Sequence, residues 1–242
     1  GPSGRSGGEL RSMIDAPLAT WRQRLRDSRF LIVFEFLLVA AVFIADEHHL
    51  IYFSKTPYLL ALGWLSMAVR GISWRDVGLH LETGWLRLVV IGIAAGVAME
   101  GLELFVTQPL LVKLTGKYPD LSDFQNLVGN IKLLLIYIGL SWIVAGVGEE
   151  LVWRGYLMNR VTDLAGRGAG GWAASLILVS AAFGLAHSYQ DITGIVENMI
   201  AGVLLGILYL AGGRRLIVPI IAHGIVDSVD FLIIYSGHYP GM

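Results

Sequence analysis

The run Gly146-Val147-Gly148-Glu149-Glu150-Leu151-Val152-Trp153-Arg154 places two adjacent carboxylates in otherwise apolar sequence. An ionisable group in such surroundings is costly and needs either a partner or a task. Successive residues of a helix point about 100° apart, so the two acids cannot share one role. Glu150 and Arg154, four positions apart, are spaced to pair along one helix face. Glu149 is then left to point elsewhere, as a partly desolvated carboxylate suited to general-base work. The same trio also reads as a buried structural ion-pair cluster, and this segment alone does not choose between the two.

Two later segments carry the remaining polar chemistry. In Phe183-Gly184-Leu185-Ala186-His187 the ring and the imidazole share a helix face, so Phe183 can wall His187 from lipid. A histidine at the end of an apolar run also serves as an interfacial residue. In His223-Gly224-Ile225-Val226-Asp227 a histidine and an acid again lie one turn apart, here inside an apolar run, where a purely structural role is harder to argue. Glu149, His187 and His223 together could also offer three ligands to a metal.

The elements that must position these groups are membrane helices. Of 242 residues 55% are hydrophobic and 15% charged, whereas a soluble domain carries roughly 25% charged residues. That deficit excludes a nucleic-acid-binding domain, a disordered regulator and an ordinary soluble enzyme, and a net charge of −1 names no polyanionic partner. Without cysteine the chain has no disulfide framework, thiolate nucleophile or cysteine zinc site. Apolar stretches at 30–53, 57–69, 85–106, 131–156, 171–186, 195–211 and 216–235 predict an all-α, polytopic transmembrane bundle of about seven spans. Residues 71–84 read as an amphipathic segment along the interface.

Arg22, Arg24, Arg26, Arg29, Arg70, Arg75, Arg87, Arg160, Arg167, Arg214 and Arg215 fall at alternate span ends, and Lys55, Lys113, Lys117 and Lys132 at the others. The arginine side is therefore expected to be cytoplasmic, with the N-terminus. From that side, helical rise puts His223 roughly 12 Å, Glu149 roughly 16 Å, Asp227 roughly 18 Å and His187 roughly 24 Å deep. These depths are read as one polar cavity opening toward the cytoplasm. Residues 1–12 read as an expression-tag scar, with the native start near Met13, and 13–29 as a basic cytoplasmic segment. Residues 30–242 form a single membrane-embedded domain.

Glu149-Glu150-x-x-x-Arg154, Phe183-x-x-x-His187 and His223-x-x-x-Asp227, in that order on three apolar segments, resemble the CPBP family. These are the CAAX-protease and bacteriocin-processing (Abi) membrane proteins, which include type II CAAX prenyl endopeptidases. Pro219 to His223 and Arg75 to Leu79 share the resemblance, whose core covers about 131–236. It implies an intramembrane endopeptidase of the glutamate type without metal or cofactor. Glu149 and His187 would activate water, His223 and Asp227 would steady the oxyanion, Glu150 and Arg154 would brace the site, and Phe183 would pack beside it. Position 227 is Asn in the eukaryotic enzymes, and an ionised Asp cannot donate to an oxyanion.

Other intramembrane protease chemistries fit less well. His-Glu-x-x-His is absent, Ser141 and Ser180 lack the surroundings of a nucleophilic serine, and Gly146-Val147-Gly148 precedes Glu rather than Asp. The expected partners are the bilayer of the cell membrane and a peptide or protein substrate, prenylated or membrane-anchored, with no nucleic acid. A catalytically silent scaffold, transport or immunity partner, or a metal-dependent protease, are the alternatives. Glu35 is expected to pair with an interfacial arginine, Glu100 and Glu103 to make polar helix contacts, Asn198 to approach the site, Asp230 to share a proton with Asp227, and Gly202-x-x-x-Gly206 to pack closely.

Overall fold

The computed structural model describes residues 21, 23–26, 28–80 and 84–242. The expected tag scar, most of the basic N-terminal segment and residues 81–83 lie outside the described residues. Among the described residues the architecture is helical without strands. The long helices are α1 (Arg29–Glu47), α2 (Thr56–Arg70), α3 (Trp85–Thr115), α4 (Ile131–Ala165), α5 (Ala169–Leu185), α6 (Asp191–Ala211) and α7 (Ile217–Ser236). All seven fall on the apolar stretches. The α3, α4 and α7 segments, together with Ser188–Ala211, are long and apolar enough to cross a membrane, whereas α5 is a shorter apolar helix. Their outward faces carry Leu37, Trp64, Val90, Phe105, Leu135, Ile143 and Ile177, all solvent-exposed in the isolated chain. Such an apolar exterior suits lipid.

Local sequence explains where the helices begin and end. The side chains of Ser28 and Asn130 accept backbone N–H bonds from Leu31 and Leu133, capping α1 and α4. Pro57 sits in the first turn of α2, where its missing N–H costs nothing. The first helix stops at Glu47, short of the expected 53, and leaves Phe53 exposed in the connection. Within the amphipathic segment after α2, residues 71–80 form turns and no helix. Gly78, at φ 108, lies so close to the turn before α7 that a Cβ there would meet the Arg214 carbonyl oxygen at 2.0 Å. Its own carbonyl accepts from Leu216 N–H at 3.0 Å.

The core forms around α4, whose Val152, Trp153, Tyr156 and Met158 are buried with Leu59, Phe183, Tyr209 and Leu216 from other elements. Small residues allow the backbones to approach. A Cβ on Gly224 of α7 would strike the Trp142 ring at 2.7 Å, and one on Gly184 of α5 would meet Met199 at 2.3 Å. Gly202 and Gly206 pack against Ser180 and Leu176, as their spacing predicts. Glu35 pairs with Arg70 at the C-terminal end of α2. Both are buried, and Ser66 and Tyr156 hydroxyls donate to Glu35 at 2.9 and 3.3 Å.

Contacts fix the helix directions. Gly92 and Gly96 of α3 lie against Val218 and Ala222 of α7, so these helices run parallel. Trp142 bonds Ser228 while Glu150 bonds His223, so α4 is antiparallel to α7. Gly184 meets Ile195 while Gly206 meets Leu176, so α5 and α6 are antiparallel.

Candidate active site

Three of these helices bring the charged residues together. Glu150 is fully buried, and its Oε1 accepts from Arg154 Nη1 at 2.7 Å and from His223 Nδ1 at 2.8 Å. Arg154 reaches across to donate from Nη2 to the Gly202 carbonyl at 2.9 Å, and its guanidinium lies 5.0 Å from the Phe183 ring centre. One carboxylate thus ties α4 to α7, and through Arg154 to α5 and α6. Desolvated and charge-assisted, these bonds hold the His223 ring in one orientation.

Glu149 points the other way, into a cavity of about 550 Å³. Thr56 Oγ1 donates to its Oε1 at 3.3 Å, and its Oε2 is buried without a protein partner. The cavity is also lined by Phe183, His187, His223 and Asp227, so all four expected catalytic groups share it. His187 Nδ1 lies 2.8 Å from the Phe183 carbonyl oxygen. That oxygen can only accept, so Nδ1 carries the proton and Nε2 of the neutral ring is left with a lone pair. Phe183 stands between the two histidines, its centroid 4.9 Å from the His187 ring and 6.1 Å from His223. Trp153 meets it edge-on at 5.3 Å. The Asp227 carboxylate is 3.6 Å from His223 Nε2, too far for a hydrogen bond and near enough for attraction between charges.

Glu103, Glu197, Asn198 and Asp230 extend the polar lining beyond these groups. Asn198 approaches the site as expected, held by Gln190 Oε1 at 2.8 Å. Glu100 is buried beside this group with neither carboxyl oxygen bonded. Among the described residues no group of three or more His, Asp or Glu side chains is arranged to hold a metal ion.

Sequence reasoning missed Thr56 and Tyr189, because neither residue type stands out in a connection or at a helix start. It also missed the departure of α4 from regular α geometry. Residues Ser141–Glu149 and Leu151–Leu157 form i→i+5 hydrogen bonds on either side of Glu150. Such π segments often mark functional sites, because the insertion re-aims the side chains.

The cavity departs from expectation in its direction. It runs from mid-helix residues such as Leu205 and Val226 to Phe53, Pro119, Leu121, Gln190 and Tyr239. These belong to the α1–α2, α3–α4 and α5–α6 connections and to the chain after α7. That end is opposite the arginine-bearing one. A cytoplasmic arginine side and a cavity opening to the cytoplasm therefore cannot both hold. At this mouth Asp120 accepts from the Ser122 N–H at 2.9 Å, which holds its carboxyl below the usual carboxylate range.

Residues 131–229 match a family model described as type II CAAX prenyl endopeptidase Rce1-like. The match spans α4, α5, α6 and most of α7, and includes all seven expected site residues. Over this segment the chain is similar to the type II CAAX prenyl endopeptidases, and it is an integral membrane protein. No curated protein and no solved structure matches it.

Proposed function

We propose that the protein is an intramembrane endopeptidase of the glutamate type. In this reading Glu149, assisted by His187 Nε2, takes a proton from a water in the cavity. The resulting hydroxide adds to the scissile carbonyl carbon. His223 faces the oxyanion of the tetrahedral adduct, and collapse of the adduct expels the amine, which receives the proton that Glu149 removed. Glu150 and Arg154 keep the His223 ring in place, and Phe183 spaces the two imidazoles. Because Nδ1 of His223 is engaged by Glu150, donation from Nε2 requires the ring to carry both protons.

The observation that carries the reading is the unpartnered Glu149 Oε2 in a cavity shared with an imidazole whose other nitrogen is already committed. A silent scaffold needs no such carboxylate. The test is a comparison of protein N-termini in membranes holding wild type or Glu149→Gln. New N-termini confined to the wild-type sample support a protease, and identical profiles refute it.

Metal dependence is a separate question with its own measurement. Purified protein is expected to keep its activity after chelation and to hold no stoichiometric zinc. One tightly bound zinc per chain, lost together with activity, would replace the water-activation scheme with a metal-based one.

The Asp of position 227 gives a further expectation. Glu150, not Asp227, makes the short bond that orients His223. Asp227→Asn is therefore expected to retain or improve turnover, above all at higher pH, because an amide donates whatever its surroundings whereas an ionised carboxylate does not. The check is the pH–rate profile of both forms. A folded but inactive Asn variant would show that the carboxylate itself is required.

A further inference from the structure

The helix directions and the arginine distribution together bear on which side of the membrane is served. The N-terminal ends of α3, α5 and α7 and the C-terminal ends of α2, α4 and α6 lie at one end of the bundle. Arg70, Arg75, Arg87, Arg160, Arg167, Arg214 and Arg215 all belong there. Arg26 joins them, donating to the carbonyls of Arg70 and Gly71 at 2.8 and 2.9 Å. Among the described residues, the basic side chains of the opposite end are Lys55, Lys113, Lys117 and Lys132. Short connections rich in Lys and Arg are retained in the cytoplasm during insertion, and here the arginine-bearing end carries the excess.

The cavity reaches the surface at the lysine-bearing end, through Phe53, Pro119, Leu121 and Gln190. A hydrogen bond from Asp120 N–H to the Gln190 carbonyl, at 2.9 Å, joins two of those connections, and Lys117 pairs with Asp191 at 2.8 Å beside them. Toward the arginine end, Tyr156, Met158, Tyr209 and Leu216 are each at most 1% exposed, and none of them lines the cavity. The mouth available to a peptide at a bundle end therefore lies at the lysine-bearing one.

We propose that this site faces away from the cytoplasm and takes peptide segments that emerge beside the membrane on the non-cytoplasmic face. The substrate class, resting on the protease reading above, is then a membrane-anchored or translocated protein cut near its anchor on that face. A tail presented in the cytoplasm would meet the closed, arginine-rich end.

The test uses the absence of cysteine from the chain. Asp123→Cys places a thiol at the mouth, and Gly170→Cys places one at the other end, where a Cβ meets nothing within 4 Å. Both are treated in intact spheroplasts with a membrane-impermeant maleimide. The proposal expects Asp123→Cys to be labelled at once and Gly170→Cys only after permeabilisation. The reverse pattern, or labelling of both in intact spheroplasts, overturns it regardless of enzymatic activity. A second arm anchors one peptide library to a single-span protein on either face. Cleavage on the non-cytoplasmic face alone is expected. Cleavage on the cytoplasmic face overturns the proposal, whereas expected labelling without cleavage on either face refutes the protease reading and leaves the orientation standing.

Discussion

Glu149→Gln is expected to lower the rate of peptide cleavage by about 10²–10⁴-fold, the usual contribution of a positioned general base, while leaving the fold intact. The geometry makes this substitution unusually clean. Gln has the shape of Glu, and its amide oxygen can still accept from Thr56, which donates to Glu149 Oε1 at 3.3 Å. Among the described residues no ion pair to Glu149 would be broken, and its Oε2 has no protein partner to lose. His187→Ala should lower the rate to a similar extent, and the double variant should be little worse than either single one, because groups that serve one proton transfer are not additive. The measurement is initial rate on a defined peptide in detergent or vesicles, alongside thermal unfolding of each variant. A Glu149→Gln protein that cuts at near wild-type rate would remove Glu149 from the chemistry.

How much of this was legible in the sequence depends on which force dominates at each place. Long apolar runs are a strong signal for helices, and all seven fall on them, although only four are long and apolar enough to cross a membrane. Side-chain pairs within one helix were legible too, because Glu150 and Arg154 need only the helical repeat to meet. Contacts between helices were not. Nothing in residue type says that Glu150 also holds His223 or that Arg154 reaches the Gly202 carbonyl, although Gly202 was recognisable as a site of close approach. The π segments beside Glu150 were equally hidden, since no residue type in the run signals an i→i+5 register.

The direction of the cavity was partly legible, and the clue lay in the residue that fitted worst. Helical rise put His187 roughly 24 Å from the arginine end, deeper than the other three groups. In the structure it lies beyond the last turn of α5, near Tyr189 and Gln190 at the cavity mouth. The apparent misfit in depth was the distance between the enclosed floor of the site and its entrance.

Glu150→Ala is expected to damage the fold, by about 3–5 kcal/mol if the general cost of breaking a buried pair applies. Glu150 is fully buried, and removing its carboxylate leaves Arg154, itself 1% exposed, with the Gly202 carbonyl and the Phe183 ring but no counter-charge. The same change frees His223 Nδ1, so the ring loses the bond that orients it. Low expression and early unfolding should result, in contrast with the stable, inactive Glu149→Gln. The cause can be separated from simple loss of packing by changing both partners. Replacing Glu150 by Leu and Arg154 by Met removes both charges and keeps apolar bulk, which often restores stability to a broken pair. That double variant should therefore unfold later than Glu150→Ala and still fail to cleave, because His223 is no longer held. If Glu150→Ala were as stable as wild type, the ion pair would not be what holds α4 against its neighbours. If the double variant were active, His223 would not need Glu150 to position it.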